Sequence, residues 1–441
     1  MAASRNSPPA DLRATVAEVL ARHVAAGQGL CVALSGGMDS VALLHAVCAI
    51  AAVRGHRVGA LHVNHRISPN AYRWEAFCAE LCERSGVALR VERINVAFPA
   101  GAGIEAAARE IRYRAFLRAD ADWLLAAHHR DDQAQTVLHN LLRGSGVRGA
   151  AGIPVTRSLR SDPPLALLRP MLEVPRADIE AYAREHGLSW IDDESNEDPR
   201  RARTFLQREA IPLLRARYPD CEAALSRAGR HFAQAESLLQ VLGGEDLKRC
   251  TGQASGIRVD RLTALGEARA ANALRVALAR AGCRPPSNER FREILRQFLD
   301  AREGAQPRVV VDGVVMHRFR GAIYLVRPAG RPPDDPVAWR GEAAVAWGDG
   351  RVVFENTVGS GIRRSATDSG AWSIRTRRGG EHIRLADNRP RRTLKNAFQE
   401  ESVPPWERDV LPLLWRDGDL VWVPGVGVGA APRCPAAAPG I

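Results

Sequence analysis

Through its first half the chain alternates two patterns. Short apolar runs of about four to eight residues, the length of buried strands, are followed by longer stretches with apolar positions three and four apart, the period of a helix. Residues 11–25 read as an amphipathic helix carrying Leu12, Val16, Val19 and Leu20 on one side. Residues 30–34 read as a buried strand, and a helix follows with Val41, Leu44, His45, Val47 and Cys48 on one face. Four more strands are expected at 57–63, 88–96, 122–127 and 165–168, with helices over 74–85, from 128 through 136, and over 175–185. Such alternation calls for an α/β fold, a doubly wound parallel sheet.

Beyond residue 219 the period turns helical, with helices predicted over 223–242, 269–281 and 288–298. Asp312-Gly313 and Arg320-Gly321 then punctuate a hairpin pattern over 308–315 and 317–326. Residues 328–336, rich in Pro, Gly and Asp, read as a linker. Past it come short strand patterns with Trp339, Trp347 and Trp372, a basic helix within 391–399, and a hairpin over 414–423 turning at Asp417-Gly418. A chain of 441 residues is too long for one ordinary core. The expected division is a catalytic domain over 1–216, a helix-rich middle domain over 217–328, a small α+β C-terminal domain over 337–430, and a loose tail over 431–441.

Composition narrows the class. No apolar run approaches a membrane span, and the first residues lack the apolar stretch of a secretory signal. Eight cysteines without a CxxC pair argue against a disulfide framework or a zinc ribbon, so a cytoplasmic chain is expected. Net charge is +12, and a polyanion, most commonly nucleic acid, is the expected partner. Only Lys248 and Lys395 are lysines among 62 basic residues, so the excess rests almost wholly on arginine.

The sharpest local signal is Ser35-Gly36-Gly37-Met38-Asp39-Ser40, set between the first strand and its helix. Glycines let backbone N–H groups approach an anion, and the helix start adds its positive end, which together make a phosphate cradle. A plain strand-to-helix turn with a capping Ser or Asp is the bland alternative. A Walker A loop is excluded, because it needs a lysine that this chain lacks nearby. Asp39 would repel a bare phosphate and makes sense with Mg2+ between them. His62, Asn64 and His65 follow the second strand, and His128 to Asp132 follow the fourth, where α/β sheets bind ligands.

Other residues leave two readings each. Glu105, Arg109, Arg112 and Tyr113 share a helical face, either as ordinary ion pairs or with an Arg on phosphate. Asp132 and Gln135, three apart, face the same way, and Asp132 would either cap the helix or hold an amine. The segment Arg143 to Gly149, with Arg148 inside it, is a mobile substrate loop or a helix stop. An acidic loop over 190–198 runs into Arg200, Arg201, Arg203 and Arg208. That is a self-paired surface or a place where polyphosphate, Mg2+ and RNA meet.

Taken in order, these blocks resemble one family. SGGMDS (35–40), LHVNHRIS (61–68), GIEAAAREIRY (103–113), AHHRDDQAQT (127–136), RGSGVRGAAGI (143–153), DDESNEDPRRARTFLQREAIP (192–212), RRGGEHIRL (377–385), RRTLKNAFQEESVPPW (391–406) and DGDLVWVPGVGVG (417–429) are similar to the tRNA(Ile)-lysidine synthases, PP-loop enzymes of the N-type ATP pyrophosphatase superfamily. The resemblance spans nearly the whole chain. It implies ATP and Mg2+ as cofactors, and free L-lysine and an isoleucine tRNA with a CAU anticodon as substrates; no membrane is involved, and a homodimer is left open. The implied reaction adenylates the C2 oxygen of the wobble cytosine, releases pyrophosphate, and then lets the lysine ε-amine displace AMP.

On that resemblance Ser35, Gly36, Gly37, Met38, Asp39 and Ser40, with His62, Asn64 and His65, would bind ATP. Asp39 would hold the metal, Arg109 would meet the activated intermediate, and Asp132 with Gln135 would bind lysine. Arg112, Arg143, Arg148, Arg203, Arg208, Arg391, Arg392 and Lys395 would contact tRNA or phosphate. Two departures stand out. Gln135 replaces the family's usual Glu, and Arg203-Thr204-Phe205-Leu206-Gln207-Arg208 replaces an Arg-Asn-x-x-Arg pattern. A tRNA thiolase on the same cradle would need paired cysteines, and an amidotransferase would need a glutaminase domain or partner. A tRNA-binding protein with an inactive cradle is the rival from another class.

Overall fold

The period-2 alternation of the first strands sorts their side chains onto two faces. In β1 (Gly29–Ala33), Leu30 and Val32, with Leu34 just beyond, enter one buried layer, and Cys31 enters the other. Strands β4 (Trp123–Leu125) and β6 (Pro164–Leu168) divide likewise: Leu125 and Leu168 join the layer of Leu30, while Leu124, Leu165 and Leu167 join that of Cys31. A sheet buried on both faces must be covered on both. Helices α1 (Leu12–His23), α2 (Met38–Arg54), α3 (Ala71–Arg84) and α5 (Arg176–Glu185) supply one cover, and Phe116 and Ala119 belong to the other.

The computed structural model describes residues 11–66, 68–94, 111–191, 202–252, 256–302, 304–328, 330–386, 388 and 390–441. They divide into two compact units, Met1–Leu239 and Gln240–Ile441, with the division inside the long helix Cys221–Cys250. In the first unit the six strands run in the order β3-β2-β1-β4-β6-β5, with β2 spanning Arg57–Asn64 and β3 spanning Ala88–Arg93. The pairs β3-β2, β2-β1, β1-β4 and β4-β6 are all parallel. Strand β5 (Thr156–Ser161) is an antiparallel edge that the sequence pattern does not reveal. Its TRSLRS run is mostly exposed, so no apolar alternation marks it, and a polar edge suits a strand open to solvent.

The order places β2 and β3 on one side of β1, and β4, β6 and β5 on the other. The reversal point therefore lies between β1 and β4, and ligands bind at the carboxyl ends flanking such a point. Those ends carry the cradle before α2 and the first turn of helix α4 (Arg130–Leu142).

The second unit contains the helices Glu267–Arg280 and Asn288–Leu299, then the strands Arg308–Val311, Val314–Phe319 and Ala322–Val326. The two-residue turns have positive φ at both positions: 47° and 80° at Asp312-Gly313, 46° and 71° at Arg320-Gly321. Asp417-Gly418 repeats this at 48° and 88°. Such primed turns match the twist of a hairpin, so all three expected turns form where the sequence marks them. Residues 431–441, expected to be loose, are instead tied down. Pro439–Gly440 pairs with Thr357–Val358, and Ile441 donates its N–H to Ile362 O at 2.8 Å.

Helix α2 is buried along most of its length beneath the sheet, and Leu43 is fully enclosed. Replacing Leu43 by Ala should lower stability by about 3 kcal/mol through lost burial and a cavity. Urea unfolding of the full chain should show it as a lower midpoint at unchanged slope.

Candidate active site

The cradle loop is held by its own serines. Ser35 N–H donates to Ser40 Oγ at 3.2 Å, Ser40 Oγ donates to Gly37 O at 2.9 Å, and Gly37 N–H donates to Ser35 Oγ at 3.3 Å. Gly36 sits at φ +89°, and a Cβ there would stand 3.0 Å from Ile191 Cδ1 and 3.3 Å from Cys78 Sγ. Both its backbone conformation and its room demand glycine. Ile191 N–H donates to Gly36 O at 2.9 Å and closes the loop from below. Gly37 caps α2 without a side chain, which suits the helix start to an anion. Met38 is buried.

Across the reversal point stands His129, buried at the start of α4. Its Nε2 lies 3.7 Å from Asp39 Oδ2 and 3.5 Å from Asp132 Oδ2, and its Nδ1 lies 3.9 Å from Asp131 Oδ1. Asp132 Oδ2 also accepts the His129 N–H at 3.1 Å, and Asp131 Oδ1 accepts the Arg176 N–H at 3.1 Å. Burial pushes the Asp39 carboxyl up, His129 and Arg176 pull it down, and Asp132 and Asp131 push it up again. Its Oδ1 is buried without a hydrogen-bond partner. Among the described residues no cluster of three or more His, Cys, Asp or Glu could hold a metal alone. The orphaned Oδ1 nevertheless fits Mg2+, which is commonly held by one or two carboxylates plus phosphate oxygens and water.

The other expected residues are placed differently. His62 and Asn64 are buried in structural roles: His62 Nδ1 lies 2.9 Å from Leu34 O, and Asn64 Nδ2 donates to Glu75 Oε2 at 2.8 Å while its Oδ1 accepts the Arg66 N–H at 2.9 Å. Gln135 is buried on α4 one turn after Asp132. Arg112 is exposed, and its charge is felt at His65. Arg109 and the side chain of Arg203 lie outside the described residues. Arg208 stands in the π-helical turn Leu206–Ala210, a form often found at functional sites.

Gly144, at φ +70°, ends α4, so the glycine-rich segment begins as a helix stop. Arg143 lies eleven residues beyond Asp132, roughly 16 Å along the helix axis, and Arg148 is exposed further on. In the second unit Arg391 pairs with Asp419, and Arg392 with Glu400. Lys395 lines a cavity of about 410 Å³ with Arg377, Arg378, Glu381 and Asp409. Trp339, Trp347 and Trp372 are core side chains, so they offer no platform for a base.

Sequence reasoning missed three residues: His129 as a hub, Arg176, and Ile191 beneath Gly36. Only Pro175 before a helical pattern hinted at Arg176. The others depend on long-range contact and leave no local signal.

Family models match three parts of the chain: a PP-loop domain over residues 10–214, a TilS substrate binding domain over 258–324, and a TilS substrate C-terminal domain over 372–441. A tRNA(Ile)-lysidine synthase of Aromatoleum aromaticum is 41% identical over 418 residues, covering 94% of this chain and 97% of the relative. The chain belongs to the tRNA(Ile)-lysidine synthase family. A family member from Nitrosomonas europaea is 37% identical, with 97% of this chain and 94% of its own length covered. Among solved structures, a U34-tRNA thiolase from Methanococcus maripaludis is 17% identical over 51% of this chain and 79% of its own, at a TM-score of 0.44. The family consists of ATP-using ligases of tRNA processing. No described helix is long and apolar enough to cross a membrane.

At the end of β2, His65 is a further orphan. Both its ring nitrogens are buried without partners. Burial, then Arg112 and His62, lower its pKa to about 4. The folded chain thus refuses a proton that the unfolded imidazole accepts below about pH 6.5, so this group costs stability as pH falls from there toward 4. The melting temperature should drop more steeply between neutral pH and about pH 4.5 in the wild type than in His65→Gln, read by thermal melts across that range.

Proposed function

We propose that the chain ligates free L-lysine to C2 of the wobble cytidine in the CAU anticodon of an isoleucine tRNA, at the expense of ATP and in the cytoplasm. The observation that carries this reading is the approach of both Asp39 and Asp132 to His129, which sets a phosphate cradle beside a carboxylate able to hold an amine. Near full-length identity to relatives of that name supports it.

The cytosine O2 would attack the α-phosphorus of ATP, and the bond to the β-phosphate would break. Gly36, Gly37 and the start of α2 would receive the phosphates, held in place by the Ser35–Ser40 bonds. Asp39 would hold Mg2+, which when bound supplies charge neutralisation along the phosphate chain. Such adenylation needs preorganised charge more than a protein nucleophile. Asp132 would bind the lysine ammonium. The attacking ε-amine must be neutral, so one of the carboxylates around His129 would take its proton as AMP leaves. Arg109, Arg112 and Arg208 are proposed to meet phosphate or the activated base. Arg143, Arg148 and the basic residues of the C-terminal domain are proposed to contact more distant tRNA phosphates.

Incorporation of labelled lysine tests the reading. With ATP and Mg2+, label should enter the CAU-anticodon isoleucine tRNA and not a methionine tRNA, matched by AMP. Asp39→Ala should abolish AMP release while tRNA binding persists; AMP release with no lysine transferred in the wild type would point to another nucleophile.

Gln135 bears on the lysine site. Restoring a carboxylate in Gln135→Glu should lower the KM for lysine several-fold, at about 1–2 kcal/mol for a charge-assisted contact, and leave the KM for ATP unchanged. Steady-state kinetics in both substrates separates the two.

A further inference from the structure

The charge at the reversal point does not suit a polyphosphate as it stands. Asp39, Asp131 and Asp132 gather around the single imidazole of His129. ATP would add more negative charge, and the cradle has no lysine. Mg2+ at Asp39 would offset only part of that charge, which leaves room for a protein cation at the phosphates.

The described arginines near this point differ in how far they are committed. Arg215 is held by Glu222, with Nε donating to Oε1 at 2.9 Å. Arg169 is buried and donates to Pro154 O at 2.6 Å and to His128 Nδ1 at 3.3 Å. Arg176 is placed otherwise. Its backbone N–H is spent on Asp131 Oδ1 at 3.1 Å, which pins the start of α5 to the first turn of α4. Its side chain is exposed, and among the described residues no carboxylate stands within ion-pair distance of its guanidinium. Asp131 Oδ1 in turn lies 3.9 Å from His129 Nδ1, and His129 Nε2 lies 3.7 Å from Asp39 Oδ2, so the start of α5 stands beside the mouth of the cradle.

We propose that Arg176 is a further catalytic residue, contacting the β- and γ-phosphates of ATP and holding the pyrophosphate as it departs. The inference rests on the proposed function. When the cytosine O2 bonds to the α-phosphorus, the bridging oxygen leaves with the electron pair of the broken bond, and negative charge grows on pyrophosphate. A planar guanidinium donates two parallel N–H groups to such oxygens and stays charged throughout, so no proton has to move. Because Asp131 is bound through the Arg176 backbone, changing the side chain leaves the α4–α5 junction intact.

The test reads pyrophosphate directly. Inorganic pyrophosphate with Mg2+ is titrated by calorimetry into the full-length wild type, Arg176→Gln and Arg176→Lys. Arg176→Gln should weaken binding at least about tenfold, as expected for a lost charge-assisted hydrogen bond. Arg176→Lys should restore part of it, since it keeps the charge and loses the fork. In the lysine-transfer assay the KM for ATP should rise in Arg176→Gln and the KM for lysine should not. Pyrophosphate affinity unchanged in Arg176→Gln, or no pyrophosphate binding by the wild type, overturns the proposal. The reading beneath it fails on a different result, a wild type that transfers no lysine.

Discussion

The site depends on the pairing of β1 with β4. Leu30, Cys31 and Val32 lie opposite Trp123, Leu124 and Leu125 in parallel register. These two short strands are central, buried on both faces, and lie where the strand order reverses. The strand order takes the chain leaving β1 toward β2 and the chain leaving β4 toward β6, on the opposite side. Their carboxyl ends are left uncovered side by side. The cradle and the first turn of α4 leave these neighbouring ends, and the 3.7 Å approach of Asp39 to His129 is where they meet. A slip of the pairing by one residue would turn Leu124 and Leu125 to the wrong layers and carry His129 away from the cradle.

What the sequence makes legible is what local physics decides. Leu30 to Leu34 is an apolar run cut short by Ser35-Gly36-Gly37, and strand, turn and helix stand where that pattern puts them. Asp312-Gly313, Arg320-Gly321 and Asp417-Gly418 make hairpins because residues at those positions accept positive φ. Strand β5 was not legible, since Thr156 to Ser161 is a polar edge with no buried face to leave a period. The C-terminal tail is not legible either: it has few large apolar side chains to leave a period, yet Ile441 and Cys434 are fastened by backbone partners at Ile362 and Gly361.

At the site the division is similar. The Ser-Gly-Gly-x-Asp-Ser string and the His-His-x-Asp-Asp string each announce themselves, but their meeting is a long-range fact. His62 and Asn64 looked like ligand groups because they end a strand. They are instead spent on Leu34, Glu75 and Arg66, because buried polar groups take whatever partners the adjacent turns offer. His65, next in line, has none. Cys78 shows the converse, an inert thiol in sequence whose sulfur sets the space allowed to Gly36.

The departure at Gln135 can be weighed on the same terms. Gln135 is buried one turn from Asp132, in a site that already holds three carboxylates around one imidazole. A buried carboxylate at 135, beside three partly buried ones, would raise the cost of the empty site, since a buried charge without a partner is expensive. The amide removes that cost in the free protein, and with it one charge from the lysine pocket. In the proposed reaction the site receives two cations, Mg2+ at Asp39 and the lysine ammonium at Asp132, bridged by the His129 ring. The phosphates that arrive with Mg2+ carry more negative charge than the metal neutralises, so nucleotide entry leaves the pocket more attractive to an ammonium. Lysine affinity then depends on the nucleotide as well as on Gln135, and by linkage the dependence is mutual. In the proposed reaction a neutral residue at 135 would be tolerable, because the ATP phosphates would supply the negative charge that the side chain does not.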